Sequence, residues 1–203
     1  DESESRGLGD VYKRQPEYNG KTVIFDYSQI RPAGSYLKSS GGKAPGPEPL
    51  KNALTQIKKT LDSALKSGNK KLNPIEAYDI VMYGADAVIS GGVRRSATIC
   101  LFSADDEEMA KAKTGSWFID NPQRGRSNNS ALLLRNETTK EQFTGLMQSV
   151  KEFGEPGFVW SDSTELIVNP CVEIGMWPVD EQTGETGWQA CNLSTINLSL
   201  IHI

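Results

Sequence analysis

The chain has 203 residues, 37% of them hydrophobic, no long biased tract and a net charge of −4. That is enough apolar material for a substantial core, as one domain or as part of a larger one. With no basic field, no apolar run of membrane-span length and no charged start leading into an apolar stretch, neither a nucleic-acid polymer nor a membrane is an expected partner, and the cytoplasm is the expected compartment.

Cys100, Cys171 and Cys191 are too few and too scattered for a disulfide-stapled secreted domain, and the only histidine is His202. There is no CxxC and no HExxH, so no metal held by protein side chains is expected. "DESESRGLGDVYKRQ" over 1–15 and the last residues, 199–203, resemble translated adapter sequence. They read as non-native tails around a fragment of a longer protein over 16–198.

"KTVIFDYSQI" reads as a strand, and the Gly-, Pro- and Ser-rich "RPAGSYLKSSGGKAPGPEP" after it as a long binding loop. In "LKNALTQIKKTLDSALKSG", Leu50, Leu54, Ile57, Leu61 and Leu65 form one helical stripe that ends at Gly68. A second helix starts at Asn73, with Pro74 in its first turn and Glu76 placed to reach back to the cap, and stops at Gly91-Gly92. "SATICLF" reads as a buried strand, "SADDEEMAKAK" as a short helix start, and "RSNNSALLL" as a polar turn leading into a strand. "TTKEQFTGLMQSVKEFG" aligns Phe143, Leu146, Met147 and Val150 on a helix ended by Gly154. The remainder, "PGFVW", "LIVNPCVEIGMW" and "CNLSTINL", reads as strand and loop. Strands alternating with helices predict an α/β fold with a largely parallel sheet.

In "IVNPCVEIG" a proline follows Asn169, which predicts an extended stretch. Extended chain would put Asn169, Cys171 and Glu173 on one face, roughly 6.5 Å apart, with Pro170 and Val172 facing away. A small substrate against that face could touch an amide, a thiol and a carboxylate. The plainer alternative is an Asn-Pro turn, a thiol that only packs and an exposed Glu. "VDEQTGETG" could turn the chain and return Cys191 beside Cys171 as a structural disulfide or a redox or radical pair, whereas Cys100 in "TICLF" reads as packing.

The loop "SGGKAPGPEPL" with Lys43 could cradle a phosphate or be a plain loop, since it lacks the ordered P-loop pattern. Arg94 or Arg95 in "GGVRRSA" could bind a carboxylate or phosphate, or only a neighbouring side chain. The two amides of "RSNNSA" could bond a sugar or base, or form an Asx-turn.

Taken in order, "IRPAGSYLKSSGGKAPGPEPL", "GGVRRSATICL", "RSNNSA", "GEPGF", "NPCVEI" and "CNLSTINL" resemble the catalytic subunit of ribonucleotide reductases, most closely the adenosylcobalamin-dependent (class II) ribonucleoside-triphosphate reductases. The resemblance runs from about Lys21 to Leu198. It implies part of a ten-stranded α/β barrel whose radical cysteine lies on a central loop. It also implies reduction of a ribonucleoside triphosphate for DNA synthesis, with adenosylcobalamin as radical source, a deoxynucleotide effector, and thioredoxin or a similar reductant.

Residue by residue, the resemblance makes Cys171 the thiyl site, kept protonated and dry by Ile167 and Val168. It makes Glu173 the general base on the 3′-hydroxyl and Asn169 the amide that holds the substrate hydroxyls. Cys191 becomes one member of the two-electron cysteine pair. Arg31, Pro32, Ala33, Gly34, Ser35, Lys38, Gly41 and Gly42 fall in the loop that links effector to substrate choice. The partner of Cys191, the C-terminal re-reducing cysteines, the substrate-phosphate loop and most cobalamin contacts have no counterpart in this chain. The isolated chain is therefore not expected to turn over. Val172 stands where a smaller residue is common, and is expected to be tolerated because it faces away. The rival readings are a reductase served by a separate metal-radical subunit and a non-catalytic nucleotide-binding regulatory module.

Overall fold

The computed structural model describes residues 20–21, 23–37, 42–68, 71–88, 97–176, 179–180 and 182–192. Helix α1 spans Glu48–Lys66 and α2 spans Pro74–Ala87. In α2 the Glu76 backbone N–H donates to Asn73 Oδ1 and the Asn73 N–H donates to Glu76 Oε2, both at 2.9 Å. That is the predicted reciprocal cap. The α1 stripe is turned from its expected line: Ala53, Leu54, Ile57 and Ala64 are buried, whereas Leu65 is exposed. At 3.6 residues per turn the buried line through Ile57 returns seven residues on at Ala64, and Leu65 falls outside it. Helix α2 ends at Ala87 rather than at Gly91-Gly92, and 89–96, with Arg94 and Arg95, lie outside the described residues.

Three strands follow, β1 at Thr98–Ser103, β2 at Ser127–Leu134 and β3 at Gly157–Ser161. They form an open sheet in the order β1-β2-β3, with both pairs parallel. Parallel neighbours need crossover connections. Between β1 and β2 these are α3 (Glu107–Ala110), α4 (Trp117–Asp120) and a 3-10 turn (Pro122–Arg126); between β2 and β3 it is α5 (Lys140–Phe153). Helix α5 is closed by a Thr139–Gln142 reciprocal cap and by Gly154 at φ +72°, a left-handed conformation suited to glycine. The expected α/β class and parallel sheet are present. The described residues form three strands of it, and the ten-stranded closure is not among them.

"KTVIFDYSQI" is not a strand over its described residues, and Ile24 is 87% exposed. A β-rich sequence needs a neighbour to pair with, and no described segment pairs with this one. A second difference matters more. The polar residues of "RSNNSALLL" do not turn before the strand, because β2 begins at Ser127 and includes them.

The sheet has two unlike faces. Ala131 and Leu133 of β2 join Tyr78, Met82, Ala85, Phe102, Met109 and Leu146 in the core, so α2, α3 and α5 cover one face. Phe143 and Met147 pack on the same cluster. At the start of β2 that face is polar: the Tyr78 hydroxyl bonds Ser127 Oγ at 2.7 Å and Ser127 Oγ donates to Asn129 Oδ1 at 2.7 Å. Because side chains alternate along a strand, Asn128, Ser130, Leu132 and Leu134 point the other way.

The 3-10 turn, absent from the sequence reading, is fastened to α2 by a two-pronged ion pair. Arg124 donates through Nε and an Nη to Asp79 at 2.8 and 2.6 Å, and through its other Nη to the Ala112 carbonyl at 2.8 Å. The Arg124 and Asp79 side chains are only 12% and 13% exposed. Removing one partner of such a pair leaves a nearly buried charge without its counter-charge. Asp79→Ala is expected to lower the unfolding free energy by about 3 kcal/mol. Urea unfolding should show this as a lower midpoint at unchanged slope.

Candidate active site

Residues 167–176 form a small hairpin. Val168 and Gly175 make an antiparallel bridge, and the Met176 N–H donates to the Ile167 carbonyl at 2.8 Å. Inside it, the Val172 N–H donates to the Asn169 carbonyl at 2.9 Å and the Asn169 N–H to the Ile174 carbonyl at 3.2 Å. The Ile174 N–H closes the ring on Asn169 Oδ1 at 3.0 Å. Asn-Pro starts this turn well: asparagine suits the first position and proline presets the second.

The expected extended row is therefore wrong. Asn169, Cys171 and Glu173 lie on a closed turn, not at alternate positions of a strand. Pro170 directs the chain into the turn rather than straightening it. The fourth residue, where glycine is favoured, is Val172 at φ +71°. It is the only non-glycine residue with positive φ among the described residues. A β-branched side chain there is strained by about 1–2 kcal/mol. The earlier ground for tolerating Val172, that it faces away from an extended row, does not hold.

The turn still gathers the chemistry. Cys191 and the Asn169 side chain come close enough to the Glu173 carboxylate to favour its charged form. The Cys191 thiol, the backbone N–H of Glu173 and the Asn169 amide, in that order, hold Glu173 below the usual carboxylate range. The same contact acts in reverse on Cys191. Its hydrogen bond to Glu173, partial desolvation, and the charges of Glu173 and Cys171 push its thiol up. The charged carboxylate of Glu173 thus disfavours the Cys191 thiolate, and Cys171 adds to the same effect.

The return of Cys191 follows from a second turn. Val179 bridges Thr186, and Asp180 Oδ1 accepts from the N–H groups of Gln182 and Thr183 at 2.8 and 2.9 Å. The Gly175 N–H then donates to Gln189 Oε1 at 3.0 Å, tying the returning chain to the first hairpin. All three cysteines are free thiols. Cys171 and Cys191 are exposed, whereas Cys100 packs against the core and burial pushes its thiol up, as expected of a packing residue. Val168 is buried, but Ile167 is 65% exposed. The dry surroundings expected for Cys171 are not supplied by these two residues.

The loop after residue 30 is a narrow hairpin. Tyr36 bridges Lys43, and the Gly34 and Ala44 N–H groups donate to the Ala44 and Ser35 carbonyls at 2.9 and 2.8 Å. Arg31, Pro32, Ala33 and Gly34 are exposed near its base, Ser35 is half-buried and Gly42 exposed, while Lys38 and Gly41 lie outside the described residues. Gly46 packs on this base at φ +77°, where a Cβ would meet Ala33 at 3.0 Å. The Lys43 ammonium lies 5.7 Å from the Tyr36 ring centre. Among the described residues no group of three or more His, Cys, Asp or Glu side chains is placed to hold a metal, and no helix is long and apolar enough to cross a membrane.

The two amides of "RSNNSA" have separate tasks that sequence reasoning missed. Asn129 is buried in the polar start of the core, and Asn128 Nδ2 donates to the Pro170 carbonyl at 2.9 Å. An Asn-Asn pair inside a strand must send its side chains to opposite faces, and that was the available signal.

Comparison with known proteins adds kinship to this geometry. Over 137 residues the chain is 34% identical to the adenosylcobalamin-dependent ribonucleoside-triphosphate reductase of Lactobacillus delbrueckii subsp. bulgaricus, which takes in 68% of this chain. The chain is a homologue of part of the adenosylcobalamin-dependent ribonucleoside-triphosphate reductases. The similarly named proteins of Lacticaseibacillus paracasei and Euglena gracilis are 33% and 32% identical over 70% and 68% of the chain. The chain spans 18% of the length of each of these three relatives, and 29% of a Mycobacterium phage D29 protein to which it is 28% identical over 88% of its own length. No protein-family model matches it, and no solved structure matches it significantly.

Two measurements check the turn. Glu173→Gln removes the charge that opposes Cys191 thiolate formation, so the Cys191 titration should move down and its alkylation at neutral pH should speed up. Iodoacetamide rates against pH, with Cys100 and Cys171 replaced by Ser, read this directly; an upward or absent shift contradicts the contact. Val172→Gly should raise stability by about 1 kcal/mol, because relief of the left-handed strain exceeds glycine's entropic cost. Thermal melting should show a higher Tm.

Proposed function

We propose that this chain is the part of an adenosylcobalamin-dependent ribonucleoside-triphosphate reductase that carries its radical cysteine, and that the whole protein makes deoxyribonucleotides for DNA synthesis. The single observation that carries this reading is the closed turn presenting Cys171, in which Asn169 Oδ1 accepts from the Ile174 N–H and to which the chain carrying Cys191 is tied by the Gly175–Gln189 bond, so that Asn169, Glu173 and Cys191 come together. The relatives' names favour adenosylcobalamin over a separate metal-radical subunit. On this reading the three strands are part of a ten-stranded barrel that encloses the turn, which also supplies the dry surroundings that Cys171 lacks here. The hairpin after residue 30 relays a bound deoxynucleotide effector to the substrate site.

When bound, adenosylcobalamin supplies the organic radical that starts the reaction. The residues that fit it here are few: Cys171 is exposed at the turn, so its S–H is open to a radical carrier, and on this reading most of the groups that would hold the corrin belong to the rest of the full-length reductase. Cys171 gives up its hydrogen atom and, as a thiyl, takes the hydrogen from C3′ of the ribose. Glu173, whose charged form its surroundings favour, accepts the 3′-hydroxyl proton as the 2′-hydroxyl takes a proton from a thiol of the cysteine pair and departs as water. For this the substrate hydroxyl displaces a present donor, Cys191 or Asn169, from the carboxylate. Asn169 is both frame and ligand: its Oδ1 is committed to Ile174, which leaves its NH2 to turn from Glu173 to the substrate.

Cys191 and a second cysteine outside this chain supply two electrons and close as a disulfide, which thioredoxin or a similar reductant reopens. The contact with Glu173 suits that step. It keeps Cys191 protonated at rest and offers a nearby acceptor when the proton must leave.

Cys171→Ser in the full-length reductase is expected to abolish ribonucleotide reduction and spare nucleotide binding. Glu173→Gln should lower kcat by about 100-fold to 10,000-fold, the range for loss of a general base. Turnover assays with ribonucleoside triphosphate, adenosylcobalamin and thioredoxin check both. Undiminished reduction by Cys171→Ser would defeat the assignment.

A further inference from the structure

We propose that Asn128 is a positioning residue that aims the Cys171 turn, with Ser130 and Gly157 setting its amide; the catalytic part of this inference rests on the reading of Cys171 as the reacting thiol. The bonds inside the 167–176 hairpin fix its shape, but none of them fixes where it stands relative to the sheet. Asn128 does. Its Nδ2 donates to the Pro170 carbonyl across 42 residues of sequence at 2.9 Å. That carbonyl belongs to the peptide unit whose nitrogen is Cys171 N, so one hydrogen bond from the strand restrains the backbone that carries the thiol.

The amide is itself oriented. Ser130 Oγ, two residues along the same face of β2, donates to Asn128 Oδ1 at 3.0 Å. With the oxygen committed to Ser130, the NH2 group is turned to Pro170. Room for Ser130 comes from the next strand, where Gly157 lies opposite it in the parallel register. A Cβ at residue 157 would stand 2.6 Å from Ser130 Oγ and 3.6 Å from Asn128 Oδ1. Any side chain there must displace the hydroxyl. A relay therefore runs from Gly157 on β3 through Ser130 and Asn128 on β2 to Pro170 and Cys171.

The conformation of Val172 supports the same conclusion. A β-branched residue at φ +71° persists only where the surroundings over-determine it. Asn169 constrains the turn from within and Asn128 from outside.

Asn128→Asp is close in size and replaces the donor with an acceptor, which repels the Pro170 carbonyl. Amide hydrogen exchange followed by NMR on the 203-residue chain should show Val172 and Ile174 exchanging about tenfold faster in this variant, the factor one net hydrogen bond supports. Ala131 and Leu133 in β2 should be unchanged. Ser130→Ala and Gly157→Ala should give the same pattern in weaker form. Unchanged exchange at the turn, or equal acceleration through all three strands, overturns the tether.

In the full-length reductase Asn128→Asp should lower kcat by about 100-fold with KM for the nucleotide unchanged, as misplacement of a reacting group does. Selective loosening of the turn with kcat unchanged overturns the catalytic role. Turnover by Cys171→Ser would instead defeat the functional reading and leave the exchange result standing, so the two failures are separable.

Discussion

The bond from the Ile174 N–H to Asn169 Oδ1 is the interaction on which the candidate site depends. It makes a side chain act as part of the backbone ring and commits the oxygen of Asn169, so that its NH2 is left for Glu173. Without it, Cys171 and Glu173 would be two polar residues on an ordinary exposed loop. With it, a strained four-residue turn brings a carboxylate, a thiol and an amide to one place, and a second turn around Asp180 returns another thiol to them. The local electrostatics follow from this closure. The pKa of Glu173 is lowered by its surroundings, and that of Cys191 is raised by Glu173.

Strand β2 joins this site to the core by using both of its faces. Residues Ser127, Asn129, Ala131 and Leu133 look toward the helices, first through hydrogen bonds with Tyr78 and then through apolar packing. Asn128 and Ser130 look the other way and hold the Cys171 turn. A strand that begins with four polar residues is poor core material by composition. It is tolerated because each face satisfies its own polar atoms, apart from Nδ2 of the buried Asn129, which has no partner among the described residues. The Arg124–Asp79 pair and Lys113 stabilise the same end of the strand, since Lys113 Nζ reaches the Ser127 carbonyl at 2.5 Å and Glu155 at 3.1 Å.

Helices were legible because their signals are local. The Asn73-Pro74-x-Glu76 cap, the apolar spacing of α5 and its Gly154 stop each lie within a few residues, and the structure places them as read. The strands after residue 97 were legible from their β-rich composition, but "KTVIFDYSQI" was not, since pairing depends on a neighbour that local sequence does not name. The site failed and succeeded in the same stretch. Asn-Pro was read as extended chain with a turn as the alternative, and Val172 hid the turn because glycine is the usual mark of a positive φ. The tether from Asn128 to Pro170 was invisible for another reason: it joins residues 42 apart in sequence and depends on an empty space at Gly157. The candidate residues were singled out through their order along the chain, and their geometry needed the structure.

The central claim is that the Asn169 turn brings Asn169, Glu173 and Cys191 together, so that Glu173 is held below the usual carboxylate range. Carbon-13 NMR titration of the Glu173 carboxyl tests it most directly, in the native chain and in Asn169→Ala. The account predicts a midpoint below the usual carboxylate range in the native chain and a rise toward that range once the turn is opened. An ordinary midpoint in the native chain, or the same low midpoint in both, would contradict it.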